Sequence, residues 1–176
     1  MSARIVADEF RQMLRRVEVG FENSLDEVSM LRDVQKLSLP SGVIEGIKAG
    51  TNLRIYRWIA RKLIEKDLAK PVEDVLDIKS ILQLRWKERN SPAELQPLPK
   101  YFYLRARESL RRKDSEIAPH LKDIYSLRLT KIMNLVSKRV PESAVGNLTE
   151  EEKVLYECLL SVVDAWYDFI EGGDEK

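Results

Sequence analysis

Residues 150–170 carry apolar side chains around most of a helical wheel and leave a single narrow polar stripe. The polar positions of that stripe are Lys153, Glu157, Ser161, Asp164 and Asp168. A helix at a protein surface normally buries one apolar side and exposes a broad polar side. The segment therefore predicts a helix that is covered on most sides, partly by its own chain and partly by another subunit.

A second broad apolar surface is predicted for the helix at residues 117–139. Its apolar positions are Leu121, Ile124, Tyr125, Leu129, Ile132, Met133, Leu135, Val136 and Val140. Arg128 and Arg139 lie within this surface, where an arginine reaches for the edge or pairs with an acid of a neighbouring element. Two such helices exceed what the shorter helices can cover, which predicts an obligate assembly.

The first 70 residues show mixed periodicities. Residues 5–14 have helical spacing, whereas residues 16–21 alternate between polar and apolar positions, as in a half-buried strand. Further strand candidates are residues 27–31, 34–39, 43–47 and 53–56. A helix opens at Trp58, and Pro71 is expected to close it.

Beyond residue 72 the pattern predicts helices and no strands. Val75, Ile78, Leu82 and Trp86 share one helical face, further helices cover residues 101–112 and 117–139, and Thr149 begins a capping box. The predicted fold is α+β and mostly α. It has a small N-terminal α/β unit at residues 1–70, a helical-bundle domain of about five helices at residues 71–172, and a disordered tail at residues 173–176.

Composition argues against several classes of function. Charged residues make up 34% of the 176 residues, yet the net charge is +1, whereas a dedicated polyanion-binding domain is strongly basic. The single cysteine, Cys158, excludes a multi-cysteine zinc site, and the single histidine, His120, has no companion motif. We therefore expect no catalytic, cofactor-binding or metal site, and an intracellular protein without a signal peptide or membrane span.

Two basic clusters are candidate contacts for phosphate groups or for an acidic partner. Their members singled out here are Arg57, Arg61, Lys62, Arg111 and Arg112. With a balanced net charge, a solvated helical face is the favoured alternative. The clusters still support a second hypothesis, a nucleic-acid-binding regulator with a winged-helix-like N-terminal unit and a helical dimerisation domain, whose binding would depend steeply on salt.

Four segments, in their order along residues 33–170, resemble the archaeal type of the GINS family of replication proteins. They are residues 50–60 ending in Trp58-Ile59-Ala60, a helix at residues 76–88 that ends in the acid-arginine pair Glu88-Arg89, Leu98-Pro99-Lys100-Tyr101-Phe102-Tyr103, and Arg128-Leu129-Thr130-Lys131-Ile132 followed by Leu148-Thr149-Glu150-Glu151-Glu152. The small unit comes first. That order resembles the class related to the eukaryotic partner-of-Sld-five proteins two and three.

The resemblance implies a non-enzymatic scaffold in DNA replication. Members assemble with a second GINS-type subunit, in archaea typically as a 2:2 heterotetramer, and join the minichromosome-maintenance helicase to a RecJ-like protein at the fork. Primase or polymerase are further implied partners, with little direct DNA contact and no membrane. The implied location is the cytoplasm at the nucleoid in a prokaryote, or the nucleus in a eukaryote.

The expected subunit interface lies on the apolar faces of the helical domain. Its predicted members are Tyr101, Tyr103, Tyr125, Arg128, Ile132, Leu135, Leu159, Val162, Trp166, Phe169 and Ile170.

Overall fold

A computed structural model of the chain describes residues 3–40, 42–72, 76–111 and 116–172. The fold is α+β and mostly α, as predicted: a strand-containing part comes first and a helical bundle follows. Contacts divide the chain into two compact units. The small unit is Glu18–Asp74, and the helical unit combines Met1–Val17 with Val75–Lys176.

The first helix, α1, spans Ala3–Glu22. It confirms the helix predicted at residues 5–14, but the strand predicted at residues 16–21 is wrong, because these residues continue α1. A segment of six residues that alternates between polar and apolar positions also fits a helix, provided that only every fourth residue is buried. Phe21 is 2% exposed and Val19 is 61% exposed, although a strand would have placed both on one face.

The small unit contains two antiparallel sheets and one helix. Its elements are β1 (Leu25–Met30), β2 (Val34–Leu39), β3 (Gly42–Ile47), β4 (Asn52–Tyr56), α2 (Arg57–Glu65) and β5 (Ala69–Pro71). The strand order is β4-β1-β5 in one sheet, and β2 pairs with β3 in the other. Val28 and Met30 of β1, together with Ile55 and Leu63, form part of the core between strands and helix.

The four strands predicted at residues 27–31, 34–39, 43–47 and 53–56 are confirmed, whereas the expected role of Pro71 is wrong. Helix α2 ends at Glu65, and Pro71 ends β5 opposite Val28 of β1. Three residues that end in a proline carry no readable period. This strand exists because β1 offers a free edge for pairing, and a proline is tolerated at a sheet edge.

The helical unit contains the remaining elements. They are α3 (Ile78–Asn90), α4 (Phe102–Arg111), α5 (Ala118–Ser137), a short 3-10 helix (Glu142–Ala144) and α6 (Glu150–Ile170). The helices predicted in this region are therefore confirmed. Asp77 caps α3 by accepting a hydrogen bond from the Ser80 backbone N–H at 2.6 Å.

Helix α5 has a buried apolar cluster on each of two sides. One cluster joins α3, α4 and α5 through Ile81, Phe102 and Ile124. The other joins α5 and α6 through Ile132, Val136 and Tyr156. Because α5 packs against other helices on two sides, its broad apolar surface does not require a partner chain along the whole helix.

The apolar face predicted on α3 is not the face that α3 buries. Ile78, Leu82 and Trp86 are 37%, 39% and 66% exposed, whereas Ile81 and Glu88 are fully buried. Val75, the remaining member of that predicted face, lies outside the described residues, as does the predicted tail at residues 173–176.

The predicted capping box at the start of α6 is confirmed. The Thr149 hydroxyl accepts from the Glu152 backbone N–H at 3.2 Å, and the Glu152 carboxylate accepts from the Thr149 backbone N–H at 2.9 Å. We expect Thr149→Ala to lower the free energy of unfolding by about 1 kcal/mol, because it leaves a helical N–H without its acceptor.

Urea unfolding followed by circular dichroism measures this change. The matched control is Thr130→Ala, since Thr130 lies exposed in the middle of α5 and its hydroxyl donates to the Ser126 carbonyl of the same helix. The control is expected to change stability by less than about 0.5 kcal/mol. Equal effects of the two variants would contradict the capping role.

Candidate subunit interface and the ion-pair network behind it

Arg128 lies fully buried on α5, and each of its five N–H groups has an acceptor. Its Nε and Nη2 bind the two carboxylate oxygens of Glu152 on α6 at 2.5 and 2.6 Å. Its Nη1 donates to Glu88 of α3 at 3.0 Å and to the Gln96 carbonyl at 2.7 Å. The remaining Nη2 bond goes to the Asn147 carbonyl at 2.8 Å. A guanidinium has five donors, so this one is completely satisfied.

Lys131, one turn further along α5, completes the network. Its ammonium donates to the Glu88 carboxylate, to the Glu88 carbonyl at 2.7 Å and to the Glu94 carbonyl at 2.9 Å. The Gln96 backbone N–H also donates to Glu88, at 3.1 Å. Two cations and two carboxylates therefore balance one another inside the helical unit, as buried charges require.

The network ties three helices and two loops to one another. Because α5 presents Arg128 and Lys131 inward on the same side, it binds α3 through Glu88 and α6 through Glu152. Burial by itself disfavours the charged guanidinium. The hydrogen bonds and negative charge of Glu152 outweigh that effect, so the pKa of Arg128 is raised above its ordinary value.

Tyr103 of α4 and Tyr125 of α5 both respond to acidic residues at the start of α6. The Tyr103 hydroxyl donates to Glu152 at 2.5 Å, and burial together with the Glu152 charge raises the pKa of Tyr103. Burial and the charge of Glu151 raise the pKa of Tyr125 to about 12. Glu151 accepts from the Leu104 backbone N–H at 3.3 Å, and its other oxygen finds no hydrogen-bond partner within the described part of the chain.

The same two tyrosines line an open groove between α4 and α5. The groove has a volume of about 470 Å³ and is also lined by Arg107, Leu110 and Arg111. The Tyr103 and Tyr125 ring centroids are 5.1 Å apart. The surface of the groove is mostly apolar, and Arg107 and Arg111 lie at it. We call it the tyrosine–arginine groove.

Among the described residues of the helical unit, the second half of α6 has the most exposed apolar surface. Val162, Trp166, Phe169 and Ile170 are 52%, 58%, 78% and 52% exposed. Large apolar side chains at this spacing lie together on a helix, and such patches mark interaction sites. We call these four residues the α6 patch.

The stripe that was predicted to be polar is largely exposed, as expected. Glu157, Ser161 and Asp168 are exposed, and Lys153 is half-buried. Asp164 pairs with Arg139 at 2.7 Å, with both side chains about two-fifths exposed. Arg139 therefore sits at the edge of the apolar surface, as one of the two sequence interpretations had it.

The predicted interface residues fall into three groups. Tyr101, Arg128 and Ile132 are buried within the chain itself, which means that a partner need not cover them. Tyr103, Tyr125, Leu135 and Leu159 are half-buried, and the α6 patch is exposed. The interface assignment stays a prediction, and the exposed patch and the groove are the surfaces available for it.

Sequence reasoning missed that Arg128 finds its acids within its own chain. Glu88 was noted only as a helix end, and Glu152 only as part of a capping box. The available signal was the arginine itself, because a buried guanidinium in an apolar stripe needs a carboxylate partner and acceptors for its remaining N–H groups.

The candidate phosphate contacts of the small unit are engaged by acids. Arg57 pairs with Asp26 and lies 4.0 Å over the Phe21 ring, and Arg61 pairs with Glu22 at 2.7 Å. Lys62 pairs with Glu65 at 2.9 Å. Arg111 lines the tyrosine–arginine groove, and Arg112 lies outside the described residues.

The described residues contain neither a candidate metal centre nor a candidate membrane span. No group of three or more histidine, cysteine, aspartate or glutamate side chains there is arranged to hold a metal ion. No helix in the same residues combines the length and apolar character needed to cross a membrane.

Comparison with known families gives one match. A family model described as the GINS complex protein helical bundle domain matches residues 75–168, more than half of the chain and the whole stretch from α3 to near the end of α6. No curated protein sequence matches the chain at a significant level.

Replacing Arg128 tests the network. We expect Arg128→Leu to cost about 3–5 kcal/mol of unfolding free energy, because it leaves Glu152 buried without its counter-ion and removes one of the two cations that bind Glu88. Arg139→Leu is the control: its ion pair with Asp164 is solvent-exposed and should contribute no more than about 1 kcal/mol. Urea unfolding measures both.

The predicted loss is a large share of the stability of a typical domain, so Arg128→Leu could unfold the chain outright. Glu88→Gln offers a milder test, since it removes one charge and keeps the shape of the side chain. Its loss of unfolding free energy should fall between the losses of Arg128→Leu and Arg139→Leu. Similar costs for Arg128→Leu and Arg139→Leu would contradict the structural role of the network.

Proposed function

The chain belongs to the GINS family of replication proteins, and we propose that it serves as a non-catalytic scaffold subunit that links other proteins at the replication fork. The observation that carries the scaffold role is the α6 patch, whose large apolar side chains are half or more exposed. An apolar patch of this kind on a small chain is a surface for a protein partner.

The first proposed partner is a second GINS-type subunit, in a 2:2 heterotetramer. The α6 patch and the exposed Ile78, Leu82 and Trp86 of α3 give the described part of the helical unit at least two uncovered apolar surfaces. A subunit with two such surfaces is suited to contact two neighbours. Closed symmetric assemblies need this property when they contain more than two chains.

The proposed class is the archaeal type related to the partner-of-Sld-five proteins two and three. Its support is the order of the units, since the strands of the small unit precede the helices α3 to α6. The proposed location follows the same class: the nucleoid of a prokaryote, or the nucleus should the source be eukaryotic.

The proposed outer partners are the minichromosome-maintenance helicase and a RecJ-like protein, with primase or polymerase as further contacts. This part of the proposal rests on the family alone, and no residue of the chain is assigned to these contacts. A rigid interior suits such a role, because the network around Arg128 holds α3, α5 and α6 in one arrangement.

The nucleic-acid-binding alternative is not favoured. Arg57, Arg61 and Lys62 each pair with a carboxylate. These carboxylates offset the positive charge that would otherwise attract the phosphates of a nucleic acid.

A charge in the α6 patch tests assembly separately from folding. We expect Trp166→Glu to leave the helical content and unfolding midpoint nearly unchanged, because Trp166 is already 58% exposed. We expect it to weaken association with a second GINS-type subunit at least tenfold, because the carboxylate would be buried against apolar groups. Native mass spectrometry and titration calorimetry measure the association.

The matched control is Ser161→Glu, which adds the same charge to the exposed polar stripe of the same helix. It should assemble like the unmodified chain. If Trp166→Glu assembles as well as this control, the α6 patch is not the subunit contact. If the unmodified chain binds no GINS-type subunit, the proposed scaffold role is wrong.

A further inference from the structure

Helix α3 presents a row of apolar side chains to solvent. Ile78, Leu82 and Trp86 follow one another at intervals of four residues, and Trp86 is 66% exposed. Because each residue turns an α-helix by about 100°, the three side chains lie within about 80° of one another around the helix axis. We call these three residues the α3 row. They form a ridge of the kind through which helices pack against one another.

The charged side chains that α3 leaves accessible are all positive. They are Lys79, Arg85, Lys87 and Arg89. The helix has one acidic residue, Glu88, which is fully buried and bound by Arg128 and Lys131. The chain as a whole has a net charge of only +1. Helix α3 therefore concentrates positive charge on its accessible surface.

Two of these cations adjoin the α3 row. Arg89 falls within the arc of the row, just beyond Trp86 along the chain, whereas Lys79 lies about 20° around the axis from Trp86, near the other end of the row. Lys87 lies about 100° around the axis from Trp86 and is therefore outside the row. The row has a positive charge near each end, and a partner that covers the row meets both.

The acids beside these cations balance them only in part. Asp123 of α5 lies 3.3 Å from Arg85 and 3.8 Å from Arg89, so one carboxylate is shared by two guanidinium groups. The Arg89 side chain is still 63% exposed. Asp77 attracts Lys79, but the Asp77 carboxylate is engaged in capping the helix. The surface around the α3 row is therefore apolar with an excess of positive charge.

We propose that the α3 row is the docking surface for an acidic amphipathic helix of a protein partner. Such a helix places its apolar side chains, spaced every third or fourth residue, against the row, and its carboxylates beside Lys79 and Arg89. The proposed function requires only that a neighbour cover this surface. The present inference rests on the proposed function and adds the chemistry of the element that covers the surface.

A single-stranded nucleic acid is the other class of ligand for a surface with aromatic and basic side chains. Proteins bind such strands by stacking successive bases on aromatic rings. The α3 row has one aromatic ring, that of Trp86, and two aliphatic side chains. Ile78 and Leu82 are better covered by apolar side chains, whose burial removes apolar surface from water. The row therefore favours a helix over a nucleic acid.

A designed peptide tests the inference on the full chain. The probe is a fluorescein-labelled peptide of about 18 residues, a length at which an isolated helix can form. It has leucine at every third or fourth position and glutamate on both sides of the leucine row. We expect fluorescence anisotropy to show saturable binding that weakens as the salt concentration rises. A peptide of the same composition, with its leucines scattered around the helix, should not bind.

Variants of α3 separate the charged part of the contact from the apolar part. Lys79→Glu combined with Arg89→Glu should weaken binding at least tenfold and reduce its salt dependence. Trp86→Ala should weaken binding at least tenfold and leave the salt dependence unchanged. The control is Lys87→Glu combined with Lys122→Glu, which makes the same change of net charge at exposed positions outside the row. The control should bind like the unmodified chain.

A peptide with lysine in place of every glutamate provides the compensating test. It should bind the chain with Lys79→Glu and Arg89→Glu more tightly than it binds the unmodified chain, since the charges are then exchanged but still complementary. Circular dichroism on every variant separates loss of binding from loss of fold.

Three results would overturn the inference. They are an unmodified chain that does not bind the acidic peptide, equal binding by the Lys79→Glu, Arg89→Glu chain and its control, and tighter binding of single-stranded oligothymidylate than of the peptide, with the same dependence on Trp86.

The proposed function fails on a different result. A chain that binds the acidic peptide through the α3 row but binds no second GINS-type subunit would contradict the scaffold role and leave the docking surface standing. A chain that binds a second GINS-type subunit but not the peptide would do the reverse.

Discussion

The helical unit depends on the burial of Arg128. Taking a guanidinium out of water is costly, and the cost is offset only when all its donors find acceptors and its charge is balanced. Here the acceptors come from α3, α6 and two loops, and Lys131 neutralises the second carboxylate of the cluster. The helices can therefore occupy few other arrangements, since any shift would leave a buried charge or carbonyl without its partner.

This constraint explains how the apolar surface is divided between core and exterior. The start of α6 is bound to α5 and α4 through Glu152, Glu151 and Tyr103, so it belongs to the interior. The far half of the same helix extends past these contacts and exposes the α6 patch. The start of this long helix is therefore part of the core, and its end is an exposed apolar surface.

The division between paired buried charges and exposed apolar residues is what a subunit of an assembly is expected to show. The buried charges of Arg128, Lys131, Glu88 and Glu152 are paired with one another, whereas the exposed apolar residues of the α6 patch remain to be covered. A chain built in this way contributes shape and surface, which is the role of a subunit in an assembly. Membership of the GINS family is consistent with that reading.

Local patterns were sufficient for most elements because they act over a few neighbouring residues. The helices from α3 to α6, the capping box at Thr149 and four strands of the small unit follow from periodicity and capping chemistry. The error at residues 16–21 arose because a short alternation fits both periods, and burial of Phe21 in the folded small unit decides between them. Strand β5 was missed for a related reason, since it forms by pairing with β1.

The sequence by itself determined the fold class and the helical character of the second half. It also determined that the helices carry apolar surface that the chain leaves exposed, as on the α6 patch. The tertiary structure alone decided which of that surface is buried. Arg128 was expected at a subunit contact, yet it binds Glu88 and Glu152, which lie 40 and 24 residues away. The groove likewise brings Tyr103 and Tyr125 together from two helices. Such contacts join residues distant in the chain, and no local period records them.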